Sequence, residues 1–138
     1  MISVVGLGNA ASSIAELFSS TPEYNVYRLA SKIKRGKNQK VLKDFRDPEE
    51  YEKNVPNLKN FFKDIDDEVQ FFIVGSSMSS NYALGVLQQI KNKNINLFYI
   101  KPDTALLAGV PKLVERAAYG VLQEYARSGL FKSMTIIS

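Results

Sequence analysis

Two stretches of small residues have the composition of loops that hold phosphate groups. The first contains Gly6, Gly8, Asn9, Ala10 and Ala11, between a short apolar run and a pattern typical of a helix. Glycine lets the backbone turn with positive φ and lets other atoms approach closely. The N-terminus of a helix offers free N–H groups and a partial positive charge, which suit a phosphate. This stretch predicts a phosphate-binding loop; the alternative is a compact corner where small residues let helix and sheet pack.

The second stretch follows another apolar run and consists mostly of serine. Its hydroxyls and backbone amides could bind an anion, so the candidates for that role are Gly75, Ser76, Ser77, Ser79, Ser80 and Asn81. The structural alternative is that Ser80 or Asn81 is the N-cap of the following helix. Two such corners on neighbouring central strands indicate a phosphate ligand more strongly than either corner does alone.

The composition excludes several kinds of chemistry. The 138 residues contain neither histidine nor cysteine, so disulfides, thiolate chemistry, Ser-His catalysis and the commonest zinc ligand are excluded. The formal net charge of +4 is compatible with a phosphate or polyanion partner. No apolar run approaches the length of a membrane span, and the N-terminus does not have the pattern of a signal peptide. We therefore expect a cytoplasmic protein with no membrane partner.

The elements that must position the two corners follow from the hydrophobic pattern. Apolar runs predict strands over Ile2–Val5, Tyr24–Ala30, Val69–Val74, Ile95–Ile100 and Phe131–Ile137. Helical spacing predicts helices from Ser12 or Ser13 to Ser19, over Asn57–Asp66, over Tyr82–Lys91 and over Val110–Arg127. Residues 31–56 predict a long surface loop with one helical turn near Asp47–Asn54.

This alternation of strands and helices predicts an α/β fold. We expect one domain over residues 1–138, with three layers and a mostly parallel, Rossmann-like sheet of about five strands. In such sheets, ligands bind outside the carboxyl ends of the strands. That edge is predicted to carry four corners: Gly6–Ala11, the end of the second strand near Ser31, Gly75–Asn81 and Lys101–Gly109.

The first corner also matches part of a dinucleotide-binding fingerprint, because its spacing is G-x-G-x-x-A. An NAD-binding domain needs an acidic residue at the end of the second strand as well. Here Ser31 is followed by Lys32 and Lys34 instead. Basic residues suit a 2′-phosphate, so an NADP-binding Rossmann domain stays open, with Arg28, Lys32 or Lys34 as the residue that neutralises that phosphate.

The two corners together resemble the nucleotide-binding domain of the tubulin/FtsZ superfamily. GLGNAASSIAELF is similar to that family's first loop and helix. FFIVGSSMSSNYALGVLQQIK falls where the family has an apolar strand, its GGGTGTG signature loop and a helix. INLFYIKP resembles the following strand, and VERAAYGVLQEYARSGLFKSMTIIS resembles the next helix and strand. The resemblance covers nearly the whole chain in order and spacing, and it is closest in the first loop.

The resemblance implies that the ligand is GTP or GDP, accompanied by Mg²⁺, and that the chain self-assembles into homo-oligomers or filaments. The phosphates would lie between Gly6–Ala11 and Gly75–Asn81. The expected donors are the backbone N–H groups of Gly8, Asn9 and Ala10, and the hydroxyls or N–H groups of Ser76, Ser77, Ser79 and Ser80. Pro102 stands at the family's strand-terminal proline, and Lys112 takes the place of the family's arginine.

The chain also departs from the family. The signature loop is replaced by SSMSSNY, in which Met78 and Tyr82 are expected to hinder approach of the backbone to phosphates, and Ala108 stands where the family usually has an acid for the ribose. The acidic loop that completes GTP hydrolysis is missing, so the chain is expected to be a fragment or a minimal, degenerate relative that hydrolyses GTP inefficiently. A third interpretation is an assembly module of this fold that has lost its nucleotide.

Two charged segments carry weaker functional signals. The basic run Lys32–Lys43 contains no aromatic residue, so we expect a solvated loop and no nucleic-acid partner. The acidic residues of segment 64–68 match no calcium-loop spacing, so no metal site is predicted there.

Overall fold

The computed structural model describes residues 1–75, 77–101, 122–123, 129 and 131–137. The strands are β1 (Ile2–Leu7), β2 (Tyr24–Ala30), β3 (Gln39–Val41), β4 (Glu68–Val74), β5 (Asn94–Ile100) and β6 (Ser133–Ile137). The α-helices are α1 (Asn9–Glu16), α2 (Pro48–Lys53) and α3 (Ala83–Gln89), and a 3₁₀-helix over Met78–Tyr82 leads directly into α3. Among the described residues, no helix has both the length and the apolar character needed to cross a membrane.

All six strands join one sheet in the order β3-β2-β1-β4-β5-β6, and every neighbouring pair is parallel. The chain moves from β1 outward to β2 and β3, then returns to the other side of β1 to place β4. The strand order therefore reverses between β1 and β4, which is where sheets of this kind bind ligands. This arrangement confirms the predicted Rossmann-like α/β fold.

Alternate residues of the central strands point to opposite faces of the sheet. Each face is covered by its own core. Val5 and Leu7 of β1 belong to the larger core, which α2, α3 and the segment before β4 complete. Val4 lies on the other face and packs in a smaller core with Ala11 and Ala15 of α1. Helix α1 thus covers the face opposite to α2 and α3.

The five predicted strands are confirmed, with small differences at their ends. β1 continues through Gly6 to Leu7, two residues beyond its predicted end. The sixth strand, β3, lies inside the segment predicted to be a loop, and it was missed because Gln39-Lys40-Val41 has no apolar alternation. It is a three-residue edge strand on β2, and such strands bury little surface.

Of the predicted helices, some are confirmed and one is wrong. Helix α1 begins at Asn9 rather than Ser12 and ends at Glu16, and α2 confirms the turn expected near Asp47–Asn54. The helix predicted over Asn57–Asp66 was wrong, because this segment forms turns. Most of the helix predicted over Val110–Arg127 lies outside the described residues; residues 122–123 are helical.

Candidate functional site

The first corner begins where α1 crosses β1 at Gly6. A Cβ atom on Gly6 would lie 2.7 Å from Cα of Ser12 and closer still to the carbonyl oxygen of Ala11. Both atoms belong to the backbone of α1, so a side chain here would push the helix off the sheet. Gly6 is therefore required for packing, as the structural alternative for this corner proposed.

Gly8 makes the turn from β1 into α1. Its φ of 100° lies in the region that favours glycine. Its N–H donates to the carbonyl oxygen of Leu29 over 2.7 Å, and its carbonyl oxygen accepts from the N–H of Ser12 over 2.8 Å. The turn is thus tied to the end of β2 on one side and starts the helix on the other. The N–H of Gly8, which was predicted to donate to a phosphate, is used within the fold instead.

The N-terminus of α1 has no side-chain cap and no acidic residue in its first turn. The N–H groups of Asn9, Ala10 and Ala11 lie in this first turn, where an α-helix provides no acceptor. Ala10 is exposed and Asn9 is half-buried. This helix end therefore combines available donors with the positive end of the helix dipole, which favours an anion.

The side chain of Asn9 connects the first corner to the end of β2. Its Nδ2 donates to Oγ of Ser31 over 3.2 Å, and its Oδ1 accepts from the N–H of Lys32 over 2.9 Å. The sequence predicted Asn9 as a phosphate-loop residue and did not predict this connection. Asn9 and Ser31 thus meet at the place where an NAD-binding domain carries its acidic residue.

The second corner lies directly against the first. A Cβ atom on Gly8 would be 3.1 Å from Oγ of Ser77 and 3.4 Å from Cβ of Ser79. Among the described residues, neither of these two serine hydroxyls takes part in a hydrogen bond. The fold therefore places the uncommitted hydroxyl of Ser77 beside the start of α1, with the side chain of Ser79 next to it.

Other polar groups of the second corner are satisfied within it. The hydroxyl of Ser80 donates to the carbonyl oxygen of Ser77 over 2.7 Å, and Nδ2 of Asn81 donates to the carbonyl oxygen of Met78 over 2.8 Å. Neither Ser80 nor Asn81 is the N-cap of α3, because both lie inside the preceding 3₁₀-helix and the N-cap residue is Tyr82. These hydrogen bonds stabilise the corner itself, so the hydroxyl of Ser80, which was predicted to donate to a phosphate, is already used within the fold.

Tyr82 anchors the second corner in the larger core. Its ring packs edge-on against Tyr51 at 4.8 Å between centroids, and its hydroxyl donates to the carbonyl oxygen of Lys43 over 2.6 Å. Burial, followed by the nearby Tyr51 and Asp44, raises the pKa of Tyr82 to about 12. The expectation that Tyr82 hinders approach to the corner is therefore wrong, and Met78 likewise packs against the core.

Gly75 has a packing role similar to that of Gly6. Its N–H donates to the carbonyl oxygen of Ile100 over 3.0 Å, and the buried ring of Tyr99 occupies the space that a side chain on Gly75 would need. The remaining predicted ligand residues, Ser76, Pro102 and Lys112, lie outside the described residues.

Basic residues follow several strands at this edge of the sheet. Lys32 comes soon after β2, Lys43 soon after β3 and Lys101 directly after β5. Neither corner contains an acidic residue. Asp44 directly follows Lys43 and lies near Tyr82, so the positive charge that favours an anion at this edge rests mainly on Lys32.

The residues expected to bind an NADP 2′-phosphate do not gather at the start of α1. Arg28 directs its guanidinium toward Glu16, with 3.5 Å between Nη1 and Oε2, and Glu16 is the last residue of α1. This places the charge of Arg28 away from the N-terminus of that helix. Lys32 and Lys34 are exposed in the segment after β2.

The acidic run lies at the opposite, amino edge of the sheet and has structural contacts. Asp66 accepts hydrogen bonds from Ser3 and Asn25, each over 2.8 Å, which connects β1 and β2 to the start of β4. Burial alone would raise the pKa of Asp66, but these hydrogen bonds outweigh it and lower the pKa below the ordinary value. Among the described residues, no three acidic side chains are grouped to hold a metal ion.

The fold and the paired corners define a Rossmann-like α/β domain with a candidate anion site at its topological switch point. No protein-family model matches this chain, and no curated protein matches it significantly.

Proposed function

We propose that this chain binds the phosphates of GTP or GDP at the joined corners and self-assembles in a manner similar to tubulin and FtsZ. The observation that carries the proposal is the contact of Gly8 with Ser77 and Ser79. It brings together two segments that the sequence resemblance had separately assigned to the same phosphates.

Each corner contributes a different kind of donor to this proposed site. The backbone N–H groups of Asn9, Ala10 and Ala11 receive the phosphate oxygens at the start of α1. The hydroxyls of Ser77 and Ser79 donate from the second corner, in place of the backbone amides of a glycine-rich loop. Lys32, at the same edge, contributes positive charge.

The choice of guanine over other bases rests on the family resemblance, as do the Mg²⁺ that accompanies the nucleotide and the assembly of copies into oligomers or filaments. The phosphate contacts rest on the geometry of the corners. A test of the proposal must therefore measure phosphate binding and base preference separately.

Calorimetric titration with GTP, GDP, ATP and NADPH, each with and without Mg²⁺, makes that separation. We expect GTP and GDP to bind, and ATP to bind more weakly. Binding of none of these ligands at millimolar concentration would contradict the proposal and leave the assembly-module interpretation, which light scattering would support by showing a defined oligomer. Tighter binding of NADPH than of GTP would instead favour the dinucleotide interpretation.

Ala10→Glu identifies the site without removing any contact. Ala10 is exposed in the first turn of α1, where a carboxylate favours the helix dipole but repels a phosphate. We expect the Kd for GTP to rise about tenfold or more with no loss of stability. Gln88→Glu is the matched control, because it adds the same charge at an exposed position near the C-terminal end of α3, away from the joined corners. Equal effects of both variants would place the nucleotide elsewhere.

A further inference from the structure

A second concave surface lies at the amino edge of the sheet, away from the joined corners. This groove of about 460 Å³ runs between the turns before β4 and the C-terminal end of α3. Its floor is apolar and consists of Phe62, Ile65 and Ile90, all of them largely buried. A volume of this size is within the range of small-ligand and peptide pockets.

The rim of the groove is basic. Lys59, Lys63 and Lys93 line it, and the other polar lining residues are the neutral Gln89 and Asn92. Among the described residues that line the groove, none carries a carboxylate. The groove therefore combines three positive charges with an apolar floor, which complements a segment that alternates carboxylates and apolar side chains.

One wall of the groove is held in place by the side chain of Gln89. Its Oε1 accepts from the N–H of Leu58 over 2.6 Å, and its Nε2 donates to the carbonyl oxygens of Pro56 and Gly85 over 3.0 and 3.1 Å. These bonds join the segment before β4 to α3. The groove is thus formed before any ligand arrives, which reduces the entropic cost of binding.

Lys93 keeps donors for a ligand although it already has a partner. Its Nζ lies 3.2 Å from Oδ1 of Asp67, whose side chain is 88% exposed. The Lys93 side chain is largely buried, but because the Asp67 carboxylate is exposed to solvent the pair is screened and contributes little to stability. An ammonium group has three donors, so Lys93 can contact Asp67 and a second carboxylate together.

We propose that this groove binds an acidic peptide segment of a partner protein. Carboxylates of the segment contact Lys59, Lys63 and Lys93. An apolar side chain that lies between two of these carboxylates in the peptide packs on the floor formed by Phe62, Ile65 and Ile90. The proposal does not depend on nucleotide binding, because the groove and the joined corners lie at opposite edges of the sheet.

Fluorescence anisotropy with a labelled peptide of alternating aspartate, phenylalanine and leucine tests this proposal on the full chain. We expect saturable binding that weakens as salt is raised, because the contacts are partly exposed ion pairs. The same peptide with asparagine in place of aspartate is expected to bind at least about tenfold more weakly. Equal binding of the two peptides, or no binding of the acidic one at millimolar concentration, would overturn the proposal.

Reversing the charge of the groove lysines tests whether the peptide binds in the groove. The double variant Lys59→Glu/Lys63→Glu changes two exposed residues and leaves the Lys93–Asp67 pair intact, and we expect it to weaken binding about tenfold or more. Lys34→Glu/Lys37→Glu, at two exposed positions in the segment after β2, is the control with the same change of charge. Equal losses for both double variants would overturn the proposal. So would loss of self-association in the groove variant alone, since the groove would then hold a second copy.

Discussion

The two corners differ in how their polar groups are used. The first leaves the N–H groups at the start of α1 without a side-chain cap, whereas the second satisfies Ser80 and Asn81 within its own backbone and anchors Tyr82 in the core. Among the described residues of the second corner, the hydroxyls of Ser77 and Ser79 take part in no hydrogen bond, and Oγ of Ser77 lies nearest to Gly8. The first corner therefore offers most of the donors that are available to the proposed phosphate ligand, while the second packs against it and adds serine hydroxyls.

A comparison of the glycines sharpens this distinction. Gly6 and Gly75 are required where another element packs against the strand end, but Gly8 is required by its φ of 100°. A glycine-rich corner therefore carries two kinds of information, one about packing and one about the turn. Only the turn at Gly8 shapes the start of α1, where we propose that phosphates bind.

The largest effect is expected from Gly6→Ala. The new methyl group would overlap the backbone of α1 at Ala11 and Ser12, which no side-chain rotation can relieve. We expect a loss of about 3 kcal/mol in the free energy of unfolding, measured by urea denaturation. Gly36→Ala is the control, because its methyl group would meet only the side chain of Gln39 at 3.9 Å. A Gly6→Ala protein as stable as the control would mean that α1 does not pack this closely.

The next effect comes from Asn9, whose side chain is the link between the first corner and the end of β2. Asn9→Ala removes the hydrogen bonds with Ser31 and Lys32, and we expect a loss of about 1.5 kcal/mol in the free energy of unfolding. Asn9→Asp keeps an acceptor for the N–H of Lys32, and the hydroxyl of Ser31 can donate to the new carboxylate.

Asn9→Asp should therefore be about as stable as the wild type but bind GTP about tenfold more weakly, because the carboxylate repels phosphate. Thermal unfolding and calorimetry measure the two quantities. If Asn9→Asp bound GTP as well as the wild type, the start of α1 would not be the phosphate site.

Tyr82→Phe tests the anchoring of the second corner. The variant loses the hydrogen bond to the carbonyl oxygen of Lys43, and we expect a cost of about 1 kcal/mol. Because the folded pKa is raised from 10.0 to about 12, the neutral phenol is favoured in the folded state. The contribution of the neutral Tyr82 phenol to the free energy of unfolding is fully present below pH 10 and is lost as the pH rises toward 12.

Urea denaturation of both proteins across this pH range measures that contribution. The difference in stability between wild type and Tyr82→Phe should shrink as the phenol ionises. A difference that stays constant up to pH 12 would contradict the anchoring role.

The smallest effects should separate two serines of the same corner. Ser80→Ala removes a buried hydrogen bond to the carbonyl oxygen of Ser77, so we expect a loss of about 0.5–1 kcal/mol in stability and little change in GTP affinity. Ser77→Ala removes an uncommitted hydroxyl, so we expect unchanged stability and GTP binding that is about threefold weaker. The reverse pattern would show that the two serines have been assigned the wrong roles.

The sequence predicted the elements whose signal is local. The apolar runs of β1 and β4 are recognisable because buried parallel strands need nearly continuous apolar residues. β6 was also predicted from its apolar residues, although it is an edge strand that is mostly exposed. The three-residue β3 carries no such signal, since its pairing depends only on the backbone of β2. The segment Asn57–Asp66 has the residues of a helix, and Leu58, Phe62 and Ile65 pack into the core at helical spacing. Its backbone hydrogen bonds nevertheless mix four-residue and three-residue spacings, so no regular helix forms.

For the candidate site, the sequence by itself determined which residue types follow β1 and β4 and that parallel strands bring those corners to one edge. Only the tertiary structure decided that Gly8 lies against Ser77 and Ser79, that Asn9 connects to Ser31, and that Tyr82 turns into the core. These contacts join residues far apart in the chain. Their geometry is set by the packing of α1, α2 and the 3₁₀-helix against the sheet, and local propensity contains no information about that packing.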